Sequence, residues 1–310
     1  MLIHPSSINP PKTADDDLRI GHFIQSPSPK KNIHLLGFCS DHGVFTNGGR
    51  IGAANAPDAI RTALFKLTPD PVDPMPLRTF FESVLDHGNM EANNIDLHVA
   101  QESLGDWTAE RLGKNELPLI LGGGHETSFG HFLGYVKSNR PVTILNWDAH
   151  ADVRPLKEGK PHSGSPFYQA LEHDSGVCKN YIVGGLQRHS LSATHLEFLQ
   201  EKKAGYYFKG ELTPRLIEHI YDSLDGPTMV TMDMDALDQS IAPGVSAPAV
   251  NGFSLDTWFH LAYFAGKCKW VQSFDIVELN PKFDIDNQTA RVAALTIWHF
   301  AKGFGERENG

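Results

Sequence analysis

Cysteine is scarce in this 310-residue chain: Cys39, Cys178 and Cys268 stand far apart and follow no paired spacing. That excludes a disulfide framework and fits a reducing compartment. Cys39 closes an apolar run and reads as a buried, inert thiol. No stretch approaches the roughly 18 apolar residues that a membrane helix needs. Positive charge is also short. A formal net charge of −10 argues against nucleic acid or an anionic membrane as partner and leaves a small molecule. Nothing in the composition speaks against a homo-oligomer. The opening stretch has no apolar segment and carries Asp15, Asp16 and Asp17, unlike a signal or transit peptide, so a cytoplasmic location is expected. There is no internal repeat, and no Gly-x-Gly-x-x-Gly nucleotide loop: Gly122-x-Gly124 meets Thr127 where the third glycine belongs.

What is present is an ordinary globular composition, 40% hydrophobic and 21% charged. Residues 1–30 are polar and proline-rich and read as an irregular arm. Residues 31–310 read as one catalytic domain. Short apolar runs predict strands at 33–39, 79–85, 117–121, 142–146, 181–183, 205–208, 228–232 and 271–276, the pattern of strands buried on both faces. Helical patterns lie between them, with Pro57, Pro166 and Pro214 suited to first turns. This alternation predicts a three-layer α/β/α fold with a mostly parallel central sheet of about eight strands. Ligands in such sheets bind beyond the carboxyl ends of the strands.

Three of those ends carry polar clusters. Leu119–Leu121 runs into Gly122-Gly-Gly-His125-Glu126, Ile144–Trp147 into Asp148-Ala-His150-Ala-Asp152, and Met229–Met232 into Asp233-Met-Asp235. In an extended segment alternate residues share a face, so Asp148, His150 and Asp152 are expected to point one way, and Asp233 with Asp235 likewise. Each cluster alone has an ordinary reading as a solvated loop. Converging, four carboxylates repel, and unpaired buried charges cost several kcal/mol each. Two divalent cations balance four carboxylates, and neutral imidazoles from His125 and His150 complete the set. Oxygen-rich ligands with two imidazoles suit Mn2+ better than Zn2+ or Mg2+. The long Asp238–Ser254 loop that follows is expected to shape a pocket mouth.

GGGHE, NWDAHADVR and TMDMDALDQSIAPGVSAP together resemble the ureohydrolase family of arginases, agmatinases and formimidoylglutamases, from about Gly43 to the last helix. The resemblance implies the arginase-like fold and Mn2+, two per subunit. One ion would take His125, Asp148, Asp152 and Asp233, the other Asp148, His150, Asp233 and Asp235. It also implies that Asp152 carries a proton to the leaving amine and that Glu278, in FDIVELNP, faces the substrate. Gly-Gly-Gly-His in place of Gly-Gly-Asp-His points to the formimidoylglutamase-like members, which hydrolyse N-formimidoyl-L-glutamate to L-glutamate and formamide in histidine degradation. Ser163 falls where arginases carry a proton-shuttling His, which argues against arginine; His162 and His189 are the nearby imidazoles. A substrate with two carboxylates needs cations, for which Arg50, Arg154 and Arg188 are the candidates. An agmatinase or guanidino-acid hydrolase is the alternative within the family, and a non-catalytic metal-binding protein the alternative outside it.

Overall fold

The short Val-, Ile- and Leu-rich runs do become strands, and they join into a single nine-stranded sheet. In a computed structural model, residues 3–14, 16–28 and 30–307 are described; Asp15 lies outside them. In chain order the elements are β1 (Ile3–His4), α1 (Ile20–Gln25), β2 (Ile33–Cys39), α2 (His42–Asn47), α3 (Ala56–Leu64), α4 (Met75–Glu82), β3 (Val84–Glu91) and α5 (Leu97–Gly113). There follow β4 (Leu117–Leu121), α6 (Thr127–Lys137), β5 (Val142–Trp147), α7 (Pro166–Leu171), β6 (Cys178–Leu186) and α8 (Ala193–Glu201). The remainder are β7 (Gly205–Phe208), α9 (Pro214–Asp222), β8 (Thr228–Asp233), α10 (Leu255–Lys267), β9 (Val271–Val277) and α11 (Gln288–Gly305).

The strand order is β1-β3-β2-β4-β9-β8-β5-β6-β7, parallel throughout except for β1. β2, β4 and β8 are buried along their whole length, as continuous apolar runs require. Helices α1, α3, α4 and α9 to α11 cover one face and α5 to α8 the other. None of the described helices is long and apolar enough to cross a membrane. The three cysteines are free, and burial pushes the Cys39 thiol up to about 12.

Two expectations change. The segment 79–85 is not a strand: its first part belongs to α4, where Leu77, Phe80 and Phe81 bury at helical spacing, and β3 begins at Val84. The β-favouring Thr79-Phe80-Phe81 run conceals that period. β3 itself was hidden by Asp86 and Asn89, which are polar because they bind the fully buried Arg61 of α3, Asp86 through both oxygens at 3.0 and 3.1 Å. The arm is not wholly irregular either. β1 pairs antiparallel with β3 and brings the sheet to nine strands, and α1 buries Ile20, Phe23 and Ile24.

In the helical layer His299 of α11 stacks on Phe259 of α10, with centroids 4.4 Å apart and planes 12° from parallel. Burial, aided by Lys302, lowers this imidazole from 6.5 to about 4. The unfolded chain therefore takes up the proton first as pH falls. The associated stability is complete above pH 6.5 and is lost on descent towards pH 4. His299→Phe preserves the stack and removes the titration, so its melting temperature should fall less steeply across that window. Parallel curves for the two proteins would refute this.

Candidate metal centre

Four adjacent strands deliver the site. In sheet order they are β4, which leads to His125; β9, which leads to Glu278; β8, which ends in Asp233; and β5, which leads to Asp148. β9 thus stands between the first ligand loop and the other two. The glycine run before His125 is sterically required at Gly123, where a Cβ would lie 1.8 Å from the Ser40 carbonyl oxygen. The neighbouring Gly43 N–H and Ser40 hydroxyl donate to Glu126 Oε1 at 2.9 and 2.8 Å. Glu126 therefore ties the start of α2 to the His125 loop.

The ligands converge, but not by strand alternation. β5 ends at Trp147 and β8 at Asp233, and each motif then turns in the same way. Asp148 Oδ1 accepts the His150 N–H at 2.7 Å, and Asp233 Oδ1 accepts the Asp235 N–H at 2.8 Å. Each aspartate caps its own tight turn through one oxygen and keeps the other out of that turn. Asp152 closes the first motif at φ 47°, and Glu278 sits at φ 67°, both in the left-handed region that non-glycine residues seldom occupy. Such backbone is held by its surroundings, and here it aims two carboxylates into one cleft.

Two ligand groups result. His125, Asp148, Asp152 and Asp233 bring one donor atom each to a common point, and Asp148, His150 and Asp235 do the same beside it. Asp148 belongs to both. Asp233 falls in the first group only, where the family resemblance has it in both. His125 Nδ1 is 2.9 Å from Asp152 and from Asp233 and 3.4 Å from Asp148, yet makes no well-formed hydrogen bond. Asp235 Oδ1 and Glu278 Oε2 are buried without a partner as well.

The charges carry the same message. Burial, reinforced by Asp235 and Asp148, holds the Asp233 carboxyl well above the usual carboxylate range. Burial raises Asp235 too. Burial opposes a charge on His125, yet Asp233, Asp148 and Asp152 keep its proton far more firmly than an ordinary imidazole would. Asp235, against the cost of burial, does the same for His150. Burial also works against Asp148, but hydrogen bonds with His125 and His150 carry it below the carboxylate range. A crowd of buried carboxylates that lack positive charge, with orphaned donor atoms aimed at common points, fits a pair of divalent cations.

Around the ligands lies an open cleft whose wall includes Asn47, Gly49, Arg154, Ser163, Ser246 and Glu278. Glu278 Oε1 accepts the His125 N–H at 2.8 Å, while Oε2 is buried and has no partner. Burial, with Asp235 and Glu126 nearby, holds Glu278 well above the usual range. Arg154 Nη1 donates to Asn47 Oδ1 at 3.2 Å, and Asn47 Nδ2 donates to Ser163 Oγ at 3.1 Å.

The other two arginines are placed elsewhere. Arg50 Nε donates to the Ser246 carbonyl at 3.1 Å, its Nη2 reaches the Val245 carbonyl, and its guanidinium covers Phe283. It clamps the 238–254 loop, whose Ser246 and Ala247 line the cleft. Arg188 is exposed, paired with Glu211 at 3.1 Å and stacked on Phe208, outside the cleft wall. His162 is committed to backbone: Nε2 lies 3.0 Å from the Pro155 carbonyl, and Nδ1 accepts the Gly164 N–H at 3.1 Å. His189 is exposed.

Residues that sequence reasoning missed lie behind the ligands. Asn146, Thr231 and Asp275 are register partners across β5, β8 and β9 and form a polar row one step beneath Asp148 and Asp233. Asn146 Nδ2 donates to Asp148 Oδ2 at 3.1 Å.

Fold and site together define a three-layer α/β/α protein with a buried two-cation carboxylate–imidazole centre at the carboxyl edge of its sheet. The model of the arginase family matches residues 31–302, and the chain belongs to that family. The formimidoylglutamase of Lysinibacillus sphaericus is 35% identical over 293 residues, covering 90% of this chain and 87% of that one. That of Rhodococcus jostii is 36% identical over 276 residues, covering 85% and 83%. Among solved structures, Trypanosoma cruzi formiminoglutamase with Mn2+ superposes with a TM-score of 0.86 at 28% identity, covering 94% of this chain and all of that one. Arginase from Bacillus subtilis superposes with a TM-score of 0.74 at 25% identity, covering 87% and 98%.

Proposed function

We propose that the chain is a binuclear manganese hydrolase that cleaves N-formimidoyl-L-glutamate to L-glutamate and formamide. The observation that carries this reading is the pair of ligand groups sharing Asp148, with Glu278, one of its carboxylate oxygens unpaired, in the wall of the same cleft. The relatives named formimidoylglutamase support the choice of substrate. Bound at His125, Asp148, Asp152 and Asp233 and at Asp148, His150 and Asp235, two Mn2+ ions would supply a nucleophile from water at neutral pH.

The protein's own groups do the rest. Glu278 Oε2 accepts an N–H of the planar amidinium and turns its carbon towards the ligand groups. Arg154 receives a substrate carboxylate at the mouth, with Asn47 and Ser163 holding its approach. Water adds to the amidine carbon at the expense of its C=N double bond, and the adduct then collapses to formamide, forming the C=O bond as the bond to the glutamate nitrogen breaks. The Asp152 carboxylate carries the water's proton to that departing nitrogen. The free cysteines are in keeping with a reducing, cytoplasmic setting.

Arg154 is the only arginine or lysine of the cleft wall among the described residues, which suits an anionic substrate better than agmatine. With Mn2+ present, the protein should release glutamate and formamide from formimidoylglutamate and little urea from arginine, agmatine or 4-guanidinobutyrate. Arg154→Met should lower kcat/KM about 10- to 100-fold, mainly through KM, as expected for a charge-assisted hydrogen bond worth roughly 1.5–3 kcal/mol. Preferred turnover of a guanidine substrate, or an Arg154→Met variant with unchanged KM, would refute the assignment.

A further inference from the structure

An imidazole that binds a metal does so through a bare nitrogen, so its other nitrogen must hold the proton and find an acceptor. His125 Nδ1 faces the carboxylates, and its Nε2 lies 3.1 Å from Thr231 Oγ1. The network does not stop at that hydroxyl. Thr231 Oγ1 is 3.1 Å from Ser128 Oγ, and Ser128 donates to Asp275 at 3.2 and 3.1 Å.

A second branch reaches Asp275 from the opposite side. His131 Nδ1 is 2.6 Å from Asp275 Oδ2, His131 Nε2 is 2.6 Å from Ser273 Oγ, and Tyr135 Oη is 2.6 Å from the same oxygen. All of these side chains are fully buried. The site's catalytic reading uses none of the Asp275 branch.

Proton bookkeeping gives the network one direction. Each hydroxyl has a single proton to donate. His125 Nε2–H donates to Thr231, Thr231 to Ser128, and Ser128 to Asp275. From the other side Tyr135 donates to Ser273, Ser273 to His131 Nε2, and His131 Nδ1–H to Asp275. The Asp275 carboxylate is the one group that only accepts, so both branches must end there. Reversing the first branch would set a hydroxyl proton against the Nε2–H of His125. The acceptor for a metal-binding imidazole is commonly a carboxylate, a backbone carbonyl or water in direct contact; here the carboxylate stands two hydroxyls away. The sheet makes this reach possible, because Thr231 and Asp275 are register partners on β8 and β9.

We propose that Asp275 is a positioning residue for the metal centre: through Ser128 and Thr231 it fixes His125 with its proton on Nε2 and Nδ1 bare for metal. The proposal rests on the metal reading given above. It predicts that Thr231→Val, Ser128→Ala and Asp275→Asn each weaken Mn2+ binding about 10- to 100-fold, the usual effect of losing such a partner. Thr231→Ser, which restores the hydroxyl, should bind like the parent.

Chelator competition measures the affinity. A nitrogen-15 NMR spectrum of the metal-free protein reports the His125 Nε2–H, expected to be protected in the parent and exchange-broadened or shifted in the three variants. Ser128→Ala and Asp275→Asn proteins that bind Mn2+ as the parent does, with an unchanged Nε2–H signal, would overturn the proposal. So would Thr231→Ser behaving like Thr231→Val, which would reduce Thr231 to a packing residue. Should Asp275→Asn not fold, Ser128→Ala removes only one oxygen and decides the same point. A parent that takes up no Mn2+ would sink the metal reading, and the imidazole signal would then decide the directed network alone.

Discussion

Asp148→Asn should lose almost all turnover, on the order of 10^4-fold, given several kcal/mol of metal catalysis and a tenfold rate change per 1.36 kcal/mol. Asp148 is the ligand common to both groups, and its fully buried carboxylate also holds the His150 N–H and receives Asn146. An amide of the same shape keeps the packing and removes the charge. Mn2+ content after gel filtration should drop from two per chain to fewer than one. The metal-free variant should melt below the metal-free parent, because Asp148 is the carboxylate whose charge His125 and His150 favour in the folded chain. What disappears is the rise in melting temperature that added Mn2+ gives the parent, since a ligand stabilises only the state that binds it. Two retained ions with parental turnover would refute the shared role.

Asp152→Asn separates chemistry from metal binding. Its side chain is 12% exposed while those of Asp148 and Asp233 are at most 2%, so it is the acid of the first group that meets the cleft. Its backbone, at φ 47°, is one that Asn adopts as readily as Asp. The variant should therefore fold normally and keep substantial Mn2+, but turn over about 10^2- to 10^4-fold more slowly, the range for losing a positioned proton carrier. Parental kcat with confirmed metal content would remove Asp152 from that role. Metal lost in proportion to activity would make it a ligand and nothing more.

The cluster of candidate ligands was legible in the sequence because two of its motifs are compact: Asp148, His150 and Asp152 span five residues, Asp233 and Asp235 three, and the apolar strand before each says where it stands. Strand alternation alone does not bring them together. Strand geometry ends at Trp147 and Met232–Asp233, and self-capped turns plus the left-handed Asp152 do the aiming. Such turns leave no period in the chain to read. Arg50 and Arg188 had the right chemistry beside the right motifs, but a sequence does not say which way a guanidinium points. One found a loop carbonyl and the other Glu211.

The polar row behind the site leaves a fainter trace in the sequence. Asn146, Thr231 and Asp275 are single polar residues inside apolar strands. The signal was there in Ser273 and Asp275 alternating within β9, and in Ser128, His131 and Tyr135 at helical spacing on α6. Alternating polar positions in a strand buried on both faces are costly unless satisfied, and that cost is what should have marked them. The 79–85 segment failed for the opposite reason: its β-favouring residues obeyed a helical period set by packing.

The place of β9 in the sheet has a consequence for how the centre comes into being. The strands preceding it form two blocks, β1 to β4 and β5 to β8, and within the sheet the two are joined only through β9. His125 belongs to the first block, and Asp148, His150, Asp152, Asp233 and Asp235 belong to the second. During synthesis, where chains fold from the amino terminus onwards, both blocks emerge before the strand that joins them. A nascent chain shorter than about residue 277 lacks the strand that sets His125 beside the other five. Completion of the group that contains His125 is thus tied to closure of the sheet, and the finished centre acts as the latch on a seam that the order of translation leaves open until late.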